Sequence, residues 1–265
     1  MDTIRALILG VVEGLTEFLP ISSTGHLIIV GDLLGVRADE APWSLLLWVS
    51  QLAAILAVIV LFGGDLRRRI FQPTAGGWKR HLLTKLAVAM LPTVVLALLF
   101  KKLLDPLETP VPTAIALIAG ALVMEWIDRR YRRDAPMDLD DITLRQAFWI
   151  GAIQALSMVP GVSRAGATIM GGMVLGLTPR VAAQFSFYLA IPTMLGAAGK
   201  TLADHSLEMT SQQAALLLVG CATAFTTALL VVAGFLEFVK RYRFTAFAVY
   251  RVVLGVAVLI WAWRG

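Results

Sequence analysis

Twice along this chain an apolar stretch that should run on as a membrane helix is interrupted by proline, glycine and ionisable residues. The first interruption is Glu13-Gly-Leu-Thr-Glu-Phe-Leu-Pro-Ile-Ser-Ser-Thr-Gly-His26, set between apolar residues 4–12 and 27–30. The second is Pro160-Gly-Val-Ser-Arg-Ala-Gly166, between residues 143–159 and 165–177. No half of the first pair reaches the roughly 20 apolar residues needed to span a bilayer. Pro20 cannot continue a helix interior, so the helix must break near residues 18–20. Broken backbone is tolerated at membrane depth only where it is buried in protein or faces a water-filled cavity. Residues 2–36 and 143–177 are therefore expected to form re-entrant, broken-helix hairpins. The alternative is an ordinary span kinked at Pro20.

The remainder reads as uninterrupted spans. Of 265 residues, 58% are hydrophobic and 15% charged, with mean hydropathy +0.79, the profile of an all-α polytopic membrane protein. Spans are expected over residues 42–62, 82–100, 111–127, 181–199, 214–236 and 246–263. The connecting segments 63–81, 128–145 and 237–245 carry Arg67, Arg68, Arg69, Arg129, Arg130, Arg132, Arg133, Lys240, Arg241 and Arg243, whereas 101–110 and 200–213 carry few basic residues. The positive-inside rule places the basic segments in the cytoplasm and both termini outside, on the periplasmic or extracellular face. The formal charge of +5 then reflects basic loops and not nucleic-acid binding.

On this threading the first hairpin enters from outside and the second from the cytoplasm. The single integral membrane domain 1–265 divides into inverted repeats, 1–127 and 143–265, each with one broken hairpin and three spans. A short echo agrees: Leu19-Pro20-Ile21-Ser22-Ser23 aligns with Val159-Pro160-Gly161-Val162-Ser163 at an offset of 140 residues. Inverted repeats with paired broken helices place their site where the breaks meet. Residues 4–12 resemble a signal-peptide core, but Glu13 and Glu17 stand where a cleavage site would be, so cleavage is not expected. The lone Cys221 excludes an internal disulfide and reads as a small hydrophobe.

The breaks concentrate the chemistry. A charged group inside a span costs roughly 2.5–3.5 kcal/mol on insertion scales and points to function. Glu13 and Glu17 share a helix face, and their mutual repulsion calls for a cation, a raised pKa or water. They could jointly hold Mg²⁺ or Ca²⁺ together with substrate phosphates. Ser22, Ser23 and Thr24 open a helix whose first amides suit an anion, as do Gly161, Ser163 and Thr168 around the second break. Arg164 either pairs structurally with Glu13 or Glu17 or clamps phosphate with its planar fork. Ser23 or His26 would be nucleophile or proton carrier in phosphoryl transfer, with Arg164 neutralising the developing charge. His81 and His205 are expected in solvated loops, and Trp43, Trp48, Trp126, Trp149, Trp261 and Trp263 as interface anchors.

The two break motifs, with the run Gly176-Leu-Thr-Pro-Arg-Val-Ala-Ala-Gln-Phe-Ser-Phe-Tyr-Leu-Ala-Ile-Pro192, resemble the bacitracin-resistance family of undecaprenyl-diphosphatases over essentially the whole chain. The resemblance implies hydrolysis of undecaprenyl diphosphate to undecaprenyl phosphate and phosphate. That reaction recycles the lipid carrier for peptidoglycan and confers bacitracin resistance. It also implies a divalent cation and a re-entrant inverted-repeat fold. Its acidic pair falls on Glu13 and Glu17, and its hydroxyl, imidazole and guanidinium on Ser23, His26 and Arg164. The chain departs from the pattern at Ala165, commonly Ser, and Gln184, commonly Glu. A site between broken helices, open to lipid and to the outer face, suits a C55 tail and a wet diphosphate. The rival class is a transporter or lipid flippase, which shares repeats and broken helices. Small residues over 220–234 would support a homodimer.

Overall fold

The computed structural model describes residues 1–36, 42–72, 77–104, 109–204 and 210–264, which form eleven α-helices and no strand. In chain order these are α1 (Asp2–Thr16), α2 (Ser23–Leu33), α3 (Trp43–Leu61), α4 (Gly63–Phe71), α5 (Leu82–Leu104), α6 (Pro110–Tyr131), α7 (Leu144–Gln154), α8 (Arg164–Val174), α9 (Pro179–Asp204), α10 (Ser211–Arg241) and α11 (Thr245–Arg264). His205 lies outside the described residues.

Five helices are long and apolar enough to cross a bilayer: α3, residues 82–100 of α5, α6, α10 and residues 245–263 of α11. Only 22% to 39% of each apolar window is buried inside the protein. Outward side chains such as Leu98, Leu218, Leu230 and Val253 need hydrocarbon around them, because soluble chains rarely expose apolar surface on this scale. The sixth expected span falls within α9, 26 residues long but not among these five. Its polar content follows from its position. Phe185, Phe187, Tyr188, Leu189 and Ala190 are fully buried, so α9 faces protein and accommodates Gln184, Ser186 and Thr193 as bonded interior groups.

Both interrupted stretches are broken, and in the same way. α1 and α2 are 15 and 11 residues long, and α7 and α8 are 11 each. At 1.5 Å per residue the longest is about 22 Å, short of the ~30 Å hydrocarbon core. The expected stretch 143–159 is helical only to Gln154, then tightens into a 3₁₀ turn over Ala155–Met158. α2 and α8 each follow a serine with positive φ, Ser22 at 72° and Ser163 at 29°, the two non-glycine residues in that region among those described. Each ends on a glycine, Gly35 or Gly176, with Val36 N–H bonding Gly31 O and Leu177 N–H bonding Gly172 O, the Schellman pattern. The serines, the glycines and the bonds at the glycines recur at a spacing of 141 residues, one more than the offset of the sequence echo. Ser22, not Ser23, is therefore the geometric counterpart of Ser163.

The same spacing governs packing. α1 lies along α10 and α7 along α5. Gly10 and Gly151 permit these approaches: a Cβ at Gly10 would overlap the Gly220 carbonyl, and one at Gly151 the Ala89 carbonyl. Gly220 thus serves a contact within the chain. The three basic segments converge on one face. Arg69 donates to Asp65 (2.8 Å), Asp140 (2.6 Å) and Asp138 (3.2 Å), Arg132 to the Val239 carbonyl (2.9 Å), and Phe244 N–H to Asp128 (3.0 Å). Burial alone would raise the pKa of Asp65. The hydrogen bonds from Tyr188 and Arg69 outweigh it and hold that carboxyl below the usual aspartate value. His81, expected in solvent, is half-buried and bonds the Ile70 carbonyl at 3.1 Å.

Candidate active site

α1 carries Glu13 one turn before its end, and the turn that follows presents Glu17. Glu13 is completely buried, and neither of its oxygens has a hydrogen-bond partner among the described residues. Glu17 is engaged at both oxygens. Ser23 Oγ donates to Oε2 at 2.6 Å, and Arg164 Nη2 donates to Oε1 at 3.3 Å. A hydroxyl held by a carboxylate at this distance has a proton acceptor in place, the arrangement an activated nucleophile needs. Ser22, at the N-cap, gives no side-chain cap to α2, leaving the first amides of that helix uncapped.

The second break places the cation. Arg164 is the first residue of α8, and its Nη1 bonds the Ser186 carbonyl at 3.1 Å. Its Cζ lies 5.9 Å from the Phe18 ring, and its Nε is buried without a partner among the described residues. Ser163 Oγ caps α8 by accepting from Gly166 N–H at 3.0 Å and donates weakly to Leu19 O at 3.4 Å. Acid, alcohol and guanidinium thus reach one point from two breaks far apart in sequence.

That point is a cleft of about 360 Å³ with polar groups in its wall. Glu17, Ser22, Ser23, Thr24, Gly161, Ser163 and Arg164 line it, with Trp48 and Gln51 of α3 and Thr193 of α9 opposite. Three expected site residues are not in its wall. Glu13 is fully buried, within electrostatic reach of Glu17 and Arg164. His26 is buried at both nitrogens: Nδ1 is 2.7 Å from the Ser22 carbonyl and Nε2 is 2.6 Å from Tyr250 Oη, whose ring stacks on the imidazole. A carbonyl only accepts, so Nδ1 carries the proton and, in the neutral ring, Nε2 accepts from Tyr250. Thr168 is buried against Ser186 Oγ at 2.6 Å and stabilises the start of α8 from behind. Trp48 belongs to the cleft and Trp43 is 9% exposed in a core cluster, so neither is a simple interface anchor.

Sequence reasoning passed over Ser186, Tyr250 and Arg251. Nothing marks Ser186 in the chain. Arg251, a lone charge inside the apolar run 246–263, was open to the rule that singled out Arg164. Of the departures from the family pattern, Ala165 is fully buried, and Gln184 bonds Asp65 (3.4 Å) and Tyr188 (3.2 Å) beside the basic segments. Gln184 is not in the cleft wall.

A divalent cation is compatible with the donors present. The two unpartnered Glu13 oxygens, beside Glu17, offer carboxylate oxygen, and magnesium sites often use only one or two carboxylates completed by substrate phosphates. Among the described residues no group of three or more His, Cys, Asp or Glu could hold a metal without such help.

Residues 6–257 match the family described as "Bacitracin resistance protein BacA". The chain is similar to an undecaprenyl-diphosphatase of Wolinella succinogenes, 43% identical with 98% of each chain covered. It is 46% identical to undecaprenyl-diphosphatase 2 of Paramagnetospirillum magneticum, over 97% of this chain and 98% of that one. An undecaprenyl-diphosphatase of Nitrosomonas eutropha is 42% identical over 99% of this chain and 95% of its own length.

Proposed function

Because the chain belongs to the bacitracin resistance protein BacA family, we propose that it hydrolyses undecaprenyl diphosphate to undecaprenyl phosphate and inorganic phosphate. The product lipid re-enters the carrier pool for peptidoglycan, and higher turnover raises resistance to bacitracin. The observation that carries the reading is the contact set Ser23–Glu17–Arg164, built from both breaks.

Ser23 Oγ attacks the terminal phosphorus while Glu17 takes its proton, and undecaprenyl phosphate leaves. Water then cleaves the phosphoserine, releasing phosphate. Arg164 holds the equatorial oxygens as charge develops, a role in which a fixed cation contributes several kcal/mol. The uncapped amides of α2 receive a phosphate oxygen. Both His26 nitrogens are occupied, which favours Ser23 as nucleophile and leaves His26 to orient the Ser22 turn. Glu13 and Glu17 would hold Mg²⁺ or Ca²⁺, which when bound supplies further charge neutralisation at the diphosphate.

The chain as a whole is read as six spans, α9 being the sixth, and two re-entrant hairpins in inverted repeats 1–127 and 143–265. Support comes from the matched breaks and glycine contacts at a spacing of 141 residues. Trp48 and Gln51 lie in the first half of α3, away from the basic segment that follows it. With that segment in the cytoplasm, the cleft opens to the periplasm and the diphosphate is cleaved at the outer leaflet of the inner membrane, with both termini periplasmic.

Phosphate release by the purified protein tests the chemistry and separates it from lipid transport. Glu17→Ala and Arg164→Ala should abolish it, and chelation should remove it until Mg²⁺ or Ca²⁺ is restored. Retained release in both variants overturns the site. For sidedness, cysteines at Phe71→Cys and Val111→Cys in a Cys221→Ala background should label from inside and outside respectively.

A further inference from the structure

Arg251 is 2% exposed in the first half of α11, and its guanidinium bonds four carbonyl oxygens. Nη1 donates to Pro20 O at 3.0 Å in the first break. Nη2 donates to Gly161 O at 2.9 Å in the second, and to Ala116 O at 3.3 Å. Nε donates to Leu117 O at 3.2 Å, so the last two bonds anchor the fork on α6. Pro20 and Gly161 stand 141 residues apart, each two residues before the positive-φ serine of its break. One planar fork therefore grips the same carbonyl in both halves of the chain.

We propose that Arg251 is the positioning residue that sets the two breaks at reacting distance. The inference rests on the cleft reading above. The leverage is short: Pro20 is three residues from both Glu17 and Ser23, and Gly161 is three from Arg164. Among the described residues the two breaks are otherwise joined by the 3.3 Å bond of Arg164 to Glu17 and the 3.4 Å contact of Ser163 with Leu19 O. A broken helix leaves carbonyls without intrahelical partners, and buried carbonyls need donors. Guanidinium supplies five in fixed directions, whereas a lysine ammonium is a single point and cannot bridge both turns with the same geometry. The surroundings are cut to admit the fork. A Cβ on Gly120 would overlap Arg251 Nη2, and Gly161, at φ 93°, has the Thr113 carbonyl where a Cβ would go.

Arg251 touches no cleft-wall side chain that reacts, so its loss acts through distance. A misplacement of about 1 Å between reacting groups can cost about 100-fold in rate. The test is phosphate release from undecaprenyl diphosphate by detergent-purified Arg251→Met, Arg251→Lys and Gly120→Ala, counted per folded molecule after size exclusion and a thermal melt. The expected result for Arg251→Met is kcat lower by about 100-fold with KM within about threefold. Arg251→Lys should recover no more than a tenth of wild-type kcat. Gly120→Ala, which keeps the guanidinium but pushes it off Gly161 O, should show the same kcat-only loss, and it decides the matter if Arg251→Met does not fold. A purely structural role would reduce the folded fraction or the melting temperature and leave kcat per folded molecule unchanged. Folded Arg251→Lys or Gly120→Ala with kcat within threefold of wild type, or a loss confined to KM, overturns the proposal. Arg164→Ala and Glu17→Ala run alongside keep the two readings apart: activity surviving there removes the cleft, and activity surviving only in the Arg251 and Gly120 variants removes the clamp alone.

Discussion

Replacing Arg164 by Met separates the structural and chemical roles of the ion pair it makes with Glu17. The side chains of Arg164 and Glu17 are 11% and 7% exposed, so the pair is largely but not fully desolvated. Removing one partner of a buried pair costs about 3–5 kcal/mol, because the other charge is stranded. Here Glu17 keeps the Ser23 hydroxyl and lines an open cleft, which places the loss near the lower end, about 3 kcal/mol. The chemical loss is separate. A fixed cation aimed at developing charge is worth about 10²–10³ in kcat. Adding Glu17→Gln to Arg164→Met removes the stranded charge and leaves a neutral pair, which costs far less to bury. The double variant should therefore recover most of the lost thermal stability and none of the activity. The assay is phosphate release at saturating undecaprenyl diphosphate, paired with melting followed by tryptophan fluorescence. If folded Arg164→Met retains kcat within tenfold of wild type, the guanidinium is a structural counter-ion and the reasoning fails.

Three further outcomes test other parts of the structure. Gly10→Ala and Gly151→Ala force a methyl into a neighbouring helix backbone and should each destabilise by about 1–3 kcal/mol or more in a melt, whereas Gly234→Ala, with nothing within 4 Å, should be neutral. Asp65 has a native pKa below its unfolded value, so its contribution is complete above about pH 4 and drains away as pH falls through the native value. Asp65→Asn should therefore flatten the acid limb of the stability profile, and an unchanged limb would refute the assignment. Tyr250→Phe removes the donor to His26 Nε2, a bond worth about 0.5–1.5 kcal/mol. It should lower kcat by about 2–13-fold without changing KM, which steady-state kinetics can check.

Much of the architecture was legible because it rests on local rules. A run of apolar residues long enough to cross hydrocarbon announces a helix wherever it occurs, so α3, α5, α6, α10 and α11 were placed within a few residues. Proline and a hydroxyl cluster announce a break, and charges inside apolar runs announce chemistry, which is why Glu17, Ser23 and Arg164 were found together. The echo between halves was legible too, but short similarity could not fix its register. Only the backbone conformation of Ser22 and Ser163 set the offset at 141.

The amino-acid order by itself determined which segments form helices long and apolar enough to cross a bilayer, where two other stretches break, and which polar groups each break carries. Tertiary structure alone decided which of those groups share a surface. Glu13, Glu17 and His26 are close in sequence, yet Glu17 lines the cleft while Glu13 and His26 turn into the protein. The reason is geometric. Residues a few positions apart around a broken helix point in directions set by turns whose angles depend on distant partners, here the Arg251 fork from α11 and the Tyr250 hydroxyl beside it.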